Sequence, residues 1–132
     1  MKVILGRVTN SINALKALTE VKVDALVSKK LIKLLKKVDE EMLELDQVRD
    51  KVIVKYSTDG TKVDDDKLSE FMDEIGKVLN SEIDLPDTKL TESDFPTKEF
   101  STAERLQLEW VMPLEEEAKE EEAKEMVGEL VA

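Results

Sequence analysis

The chain has 132 residues, of which 41% are apolar and 39% charged, with a formal net charge of −11. That is the size of one domain with a modest core, and the charge fits helices with a solvated face better than a β-sandwich. Cysteine and histidine are both absent, which excludes a disulfide framework, thiolate chemistry, a zinc–sulfur site, and the usual general base and pH switch.

Only five residues are aromatic, so the core must be built from Leu, Val, Ile and Met. The charge is unevenly spread. Residues 1–56 hold twelve Lys/Arg against eight Asp/Glu, and residues 57–132 hold eight against twenty-three. The two halves therefore attract one another, or a neighbouring chain, at low ionic strength. No run approaches the roughly 20 apolar residues of a membrane span. Met1–Val8 lacks the apolar run of a signal peptide, so the expected compartment is the cytoplasm.

In chain order, Met1–Gly6 (MKVILG) reads as an edge strand or as the opening of a helix. Thr9, Asn10 and Ser11 offer N-cap side chains to a short helix near residues 10–19, whose apolar face is Ile12, Leu15 and Leu18. Thr19–Asp24 reads as a connector that folds this helix back as a hairpin. The partner is the long stretch Val23–Lys55. In it Leu31, Leu35, Val38, Met42, Leu45 and Val52 recur at steps of four and three, interrupted only by Arg49. That spacing lays an apolar stripe down one side of a helix. Leu31, Leu35, Val38, Met42 and Leu45 are the expected hairpin core or interface.

Ser57-Thr58-Asp59-Gly60 signals a turn. Alternation on both sides of it suits a β-hairpin, and a helix ending in a polar loop suits it slightly better. Asp64, Asp65 and Asp66 favour the start of a further helix, with Leu68, Phe71, Met72, Ile75, Val78 and Leu79 on its apolar face. Residues 81–100 read as extended pieces or loop around Pro86 and Pro96. Ser101-Thr102-Ala103-Glu104 matches a capping box and opens a helix over residues 102–112 that Pro113 ends. Trp110 in it is expected to dock on the hairpin. The tail from Leu114, with EEEAKEEEAKE, favours helix through its i,i+4 Glu–Lys pairs.

The expected fold is mainly α: a helical hairpin with a long central helix, braced by two shorter helices. A small β-hairpin or extended segment and an acidic C-terminal helical tail complete it. Residues 1–113 form the helical domain and residues 114–132 the tail.

The chemistry weighed on these residues is thin. Aligning Gly60 to the sixth position of an EF-hand loop puts Lys55 first, Ser57 third and Lys62 eighth, a poor match for calcium. Capping and a solvated turn explain the Asp59–Asp66 loop better. Lys29, Lys30, Lys33, Lys36 and Lys37 form the one basic patch. Without stacking aromatics, in an acidic chain, it argues against direct nucleic-acid binding. No glycine-rich phosphate loop or nucleophile elbow occurs. The expectation is no enzyme, no cofactor and no metal.

The order of elements carries a resemblance. NALKAL is followed by SKKLIKLLKKVDEEMLELDQVRDKVIVKY, then an Asp-Gly loop, LSEFMDEIGKVLNSEIDL and a late tryptophan. This resembles a loosely defined group of short helical proteins of unassigned function encoded by tailed phages and prophages, over roughly residues 10–110. The resemblance implies a phage or prophage origin and transfers no functional residue. The resulting expectation is a non-enzymatic phage structural or assembly protein. It acts through contacts with other protein chains, homo-oligomerisation among them, in the cytoplasm of the infected host or within the virion. The alternative is an acidic inhibitor that mimics nucleic acid toward a host nucleic-acid-binding or defence protein.

Overall fold

A computed structural model describes residues 1–113 of the chain; the acidic tail expected over 114–132 lies outside the described residues. The chain is mainly helical, with one small antiparallel sheet. It divides into two units. The first comprises residues 1–10 and 32–86, and the second, among the described residues, 11–31 and 87–113.

In the first unit, MKVILG resolves both alternatives at once, as strand β1 (Lys2–Ile4) running directly into helix α1 (Leu5–Asn10). The strand pairs with β2 (Glu82–Asp84), with Lys2 opposite Asp84, Val3 opposite Ile83 and Ile4 opposite Glu82. The backbone ladder continues beyond both ends, from Leu5 N–H to the Ser81 carbonyl at 2.9 Å and from Leu85 N–H to that of Met1 at 2.8 Å. A sheet is thus present, but it is not the β-hairpin that alternation around Asp59-Gly60 would suit; there the helix ends in a polar loop, the alternative that the sequence slightly favoured. Residues 57–64 close instead as a polar turn. Gly6 permits the approach of α1 to the helix before β2, since a Cβ there would stand 3.2 Å from the Leu79 carbonyl oxygen.

The long helix α3 spans Ala25–Lys55. Its start is set by Asp24, whose carboxylate accepts from the Val27 amide at 2.9 Å, a local N-cap. The connector reading of Thr19–Asp24 had not assigned that role. At its far end the β-branched run Val52-Ile53-Val54 stays helical although such residues lower helix propensity. Helix α4 (Leu68–Leu79) follows a single 3-10 turn at Asp65–Lys67. It is tied to α3 by the Lys55–Glu74 ion pair at 2.8 Å.

The second unit holds helix α2 (Ile12–Thr19), the first residues of α3, and α5 (Thr102–Gln107). The capping box of α5 is formed: the Glu104 amide donates to Ser101 Oγ at 3.1 Å and the Ser101 amide to Glu104 Oε1 at 3.2 Å. The helix is shorter than the expected 102–112. It ends at Gln107, and tight turns carry the chain from there, with the Val111 and Met112 amides both bonded to the Leu108 carbonyl. Leu108, Val111 and Met112 are all buried along these turns. Phe95 is buried beside Phe100, edge to face at 6.3 Å between centroids.

Candidate interaction surfaces

The stripe expected along α3 is present but rotated. Leu31 and Val38 are buried, while Leu35, Met42 and Leu45 are only half-buried. The fully buried residue between Leu31 and Val38 is Leu34, which the expected stripe omitted. Both leucines fit a step of three or four, and neighbouring positions lie about 100° apart on a helix. Sequence spacing alone therefore had no means to choose between them. Trp110 is half-buried, and its Nε1–H donates to Ser11 Oγ at 3.1 Å. Ser11, an expected N-cap, makes no capping bond with its side chain; it is buried and receives the tryptophan instead.

The acidic loop satisfies its own carboxylates. Asp59 Oδ1 accepts from the amides of Thr61 (2.9 Å) and Lys62 (3.1 Å) and from the hydroxyls of Ser57 (2.8 Å) and Thr61 (3.0 Å). These donors, the Thr61 amide foremost, hold its carboxyl well below the usual carboxylate range. Asp64 is held low in the same way by the hydroxyl and amide of Thr58. Gly60 takes a positive φ of 82° within this turn. Oxygens engaged by hydrogen-bond donors are poor cation ligands, so the loop reads as a self-capped turn. Among the described residues no group of three acidic side chains is placed to hold a metal ion.

An open recess of about 640 Å³ in the second unit is lined by Phe95, Lys98, Phe100 and Arg105, with Glu92 and Glu99. Its cations are already engaged. Arg105 Nε bonds Glu92 at 2.7 Å, and Lys98 Nζ bonds Glu104 at 2.7 Å while lying 5.4 Å from the centre of the Phe100 ring. The lysine, and then the Ser101 amide, keep the Glu104 carboxyl below its ordinary value. This arrangement ties the cap of α5 to the preceding loop. In the basic patch of α3, Lys37 bridges Glu40 (3.4 Å) and Glu41 (3.5 Å), and its pKa is raised by them, by Glu40 most.

The strongest surface feature is helix α4. Leu68, Phe71, Met72, Ile75, Val78 and Leu79 form one apolar face, yet none of them is buried. Leu68 is 50% and Met72 61% exposed, one turn apart, with Glu70 and Asp73 exposed beside them. A helix with so marked a face ordinarily buries it. A second exposed aliphatic line runs along α3, opposite its buried stripe, through Ile32, Leu43 and Val54. Among the described residues no helix is long and apolar enough to cross a membrane.

No protein-family model, curated protein or solved structure matches the chain.

Proposed function

We propose that this chain is a non-enzymatic protein-contact component, of the structural or assembly kind found among phage proteins, and that α4 presents its contact surface. The observation that carries this reading is that the apolar face of α4 is left uncovered along one edge, with Leu68 and Met72 half or more in solvent while Phe71, Ile75, Val78 and Leu79 are half-buried. An apolar face rimmed by charge is the form taken by helix-in-groove contacts with another protein. In this reading α4 braces the far end of α3 in the first unit, and the segment after α5 braces α2 through Trp110. The phage assignment rests on the resemblance in element order. It places the protein in the cytoplasm of an infected cell, or in the particle assembled there.

The test is capture by the tagged full-length chain from cells assembling phage, at low and high salt, beside a Leu68→Asp, Met72→Asp variant. Recovery of capsid, portal or tail proteins by the unaltered chain, lost in a variant of unchanged helicity, is the expected result. Equal recovery by both rejects α4 as the surface. Salt-sensitive recovery of a host nuclease, polymerase or defence protein instead points to the acidic-inhibitor alternative.

A further inference from the structure

On the side of α3 turned away from its buried stripe, Ile32 is 51% and Leu43 60% exposed. Eleven residues are close to three helical turns, so the two stand on one line about 16 Å apart. The charges around that line are sorted by sign. Residues 25–38 carry five lysines and no carboxylate, whereas residues 39–50 carry six carboxylates and one arginine. Lys36 and Glu40 are exposed on this same side, and Lys33 and Glu44 are exposed on its flank. Single exposed aliphatic residues are ordinary. Two on a line, with the sign of the charge changing between them, make a surface that is complementary to itself when turned end for end.

We propose that this face of α3 forms an antiparallel homodimer, with Ile32 of one copy packed against Leu43 of the other. In that register Lys36 stands across from Asp39 and Glu40 of the second copy, and Lys33 across from Glu40 and Glu44. The two-fold axis generates each pairing twice. The other arrangements are worse. A parallel pair sets lysines against lysines, and an antiparallel pair centred on Leu43 sets the acidic stretch against itself. The overlap between Ile32 and Glu44 is about 18 Å of helix, short of a standard interface, so the dimer depends on concentration and on salt. This inference concerns a different face and a different partner from the α4 reading. Its failure leaves that reading standing.

Light scattering on the full chain checks it first. At low salt the mass moves from one chain toward two as concentration rises, and high salt returns it toward one. Lys36→Glu and Glu40→Lys each weaken the dimer by about tenfold. In the double variant residues 36 and 40 again carry opposite charges across the axis while Asp39 and Lys33 face like charges, and it is no weaker than either single change. Because the chain has no cysteine, introduced thiols report the register directly. Ile32→Cys mixed with Leu43→Cys links under mild oxidation. Leu43→Cys alone does not, because its two copies lie about 16 Å apart and a disulfide reaches only about 7 Å between Cα atoms. All these positions are exposed, and circular dichroism confirms that the variants keep their fold. A chain that stays single at every concentration in low salt overturns the proposal. So does a Leu43→Cys self-link as fast as the mixed one, or a double variant weakened by the full product of the two single effects.

Discussion

The two units use their aliphatic residues differently. In the second, Leu15, Leu18, Leu90, Phe95 and Leu108 are all but withdrawn from solvent. In the first, α4 buries none of its residues fully. Of the nine large apolar residues exposed among the described residues, all but Leu26 and Leu106 belong to the first unit. The second unit reads as a small core closed by its own chain. The first reads as scaffold with apolar surface to spare, on α4 and along the outer side of α3. That difference is why the functional proposals rest on the first unit.

The sharpest way to break the contrast is to truncate one residue from each side. Phe95→Ala should cost about 3–5 kcal/mol, because it empties a filled site, whereas Met72→Ala should stay within about 0.5 kcal/mol. Urea unfolding of the two variants measures both. Equal losses would mean that α4 is buried after all. Within α3 the same measurement separates neighbours. Leu34→Ala should lose about 2–5 kcal/mol and the half-buried Leu35→Ala about half as much, a direct check on which side of the helix meets the core.

Smaller effects concern the caps and the turn. Ser101→Ala removes the acceptor for the Glu104 amide and should cost the second unit about 1 kcal/mol. In the first unit the acidic turn should respond to pH. The Asp59 and Asp64 carboxyls are held low in the folded chain. Their contribution is therefore complete above the ordinary aspartate value of about 3.9 and is lost as pH falls through the lower folded values. Amide exchange at Thr61 and Lys62 should quicken over that acid range, and in Asp59→Ala it should already be fast at neutral pH. Smallest of all, Lys89 takes a left-handed φ of 51°. Lys89→Gly should stabilise the second unit by up to about 1 kcal/mol, and a loss would show that the lysine side chain contributes more than its backbone strain costs.

What was legible in the sequence was local. The capping box of α5 spans four residues, and each partner is within reach of the other before any tertiary structure forms. The length of α3 and the apolar face of α4 follow from periodicity over a few turns, so their limits came out nearly right. The self-capped turn was half legible: Asp59-Gly60 marked it, but the four donors on Asp59 were not predictable from spacing. The Trp110–Ser11 hydrogen bond joins residues 99 apart in sequence, and only the aromatic character of Trp110 hinted at a docking role.

The sequence by itself determined a mainly helical chain without cysteine or histidine, one long helix with an apolar stripe, and an acidic second half. Tertiary structure alone decided that Met1–Gly6 pairs with a strand some eighty residues away. It also decided that Leu34 rather than Leu35 faces the core, and that α4 leaves Leu68 and Met72 in solvent. The physical reason is common to all three. Backbone propensity and periodicity specify which side of an element is apolar, but not which surface is brought against it. A neighbouring residue about 100° around a helix, or a strand partner distant in sequence, is selected only when the whole chain closes.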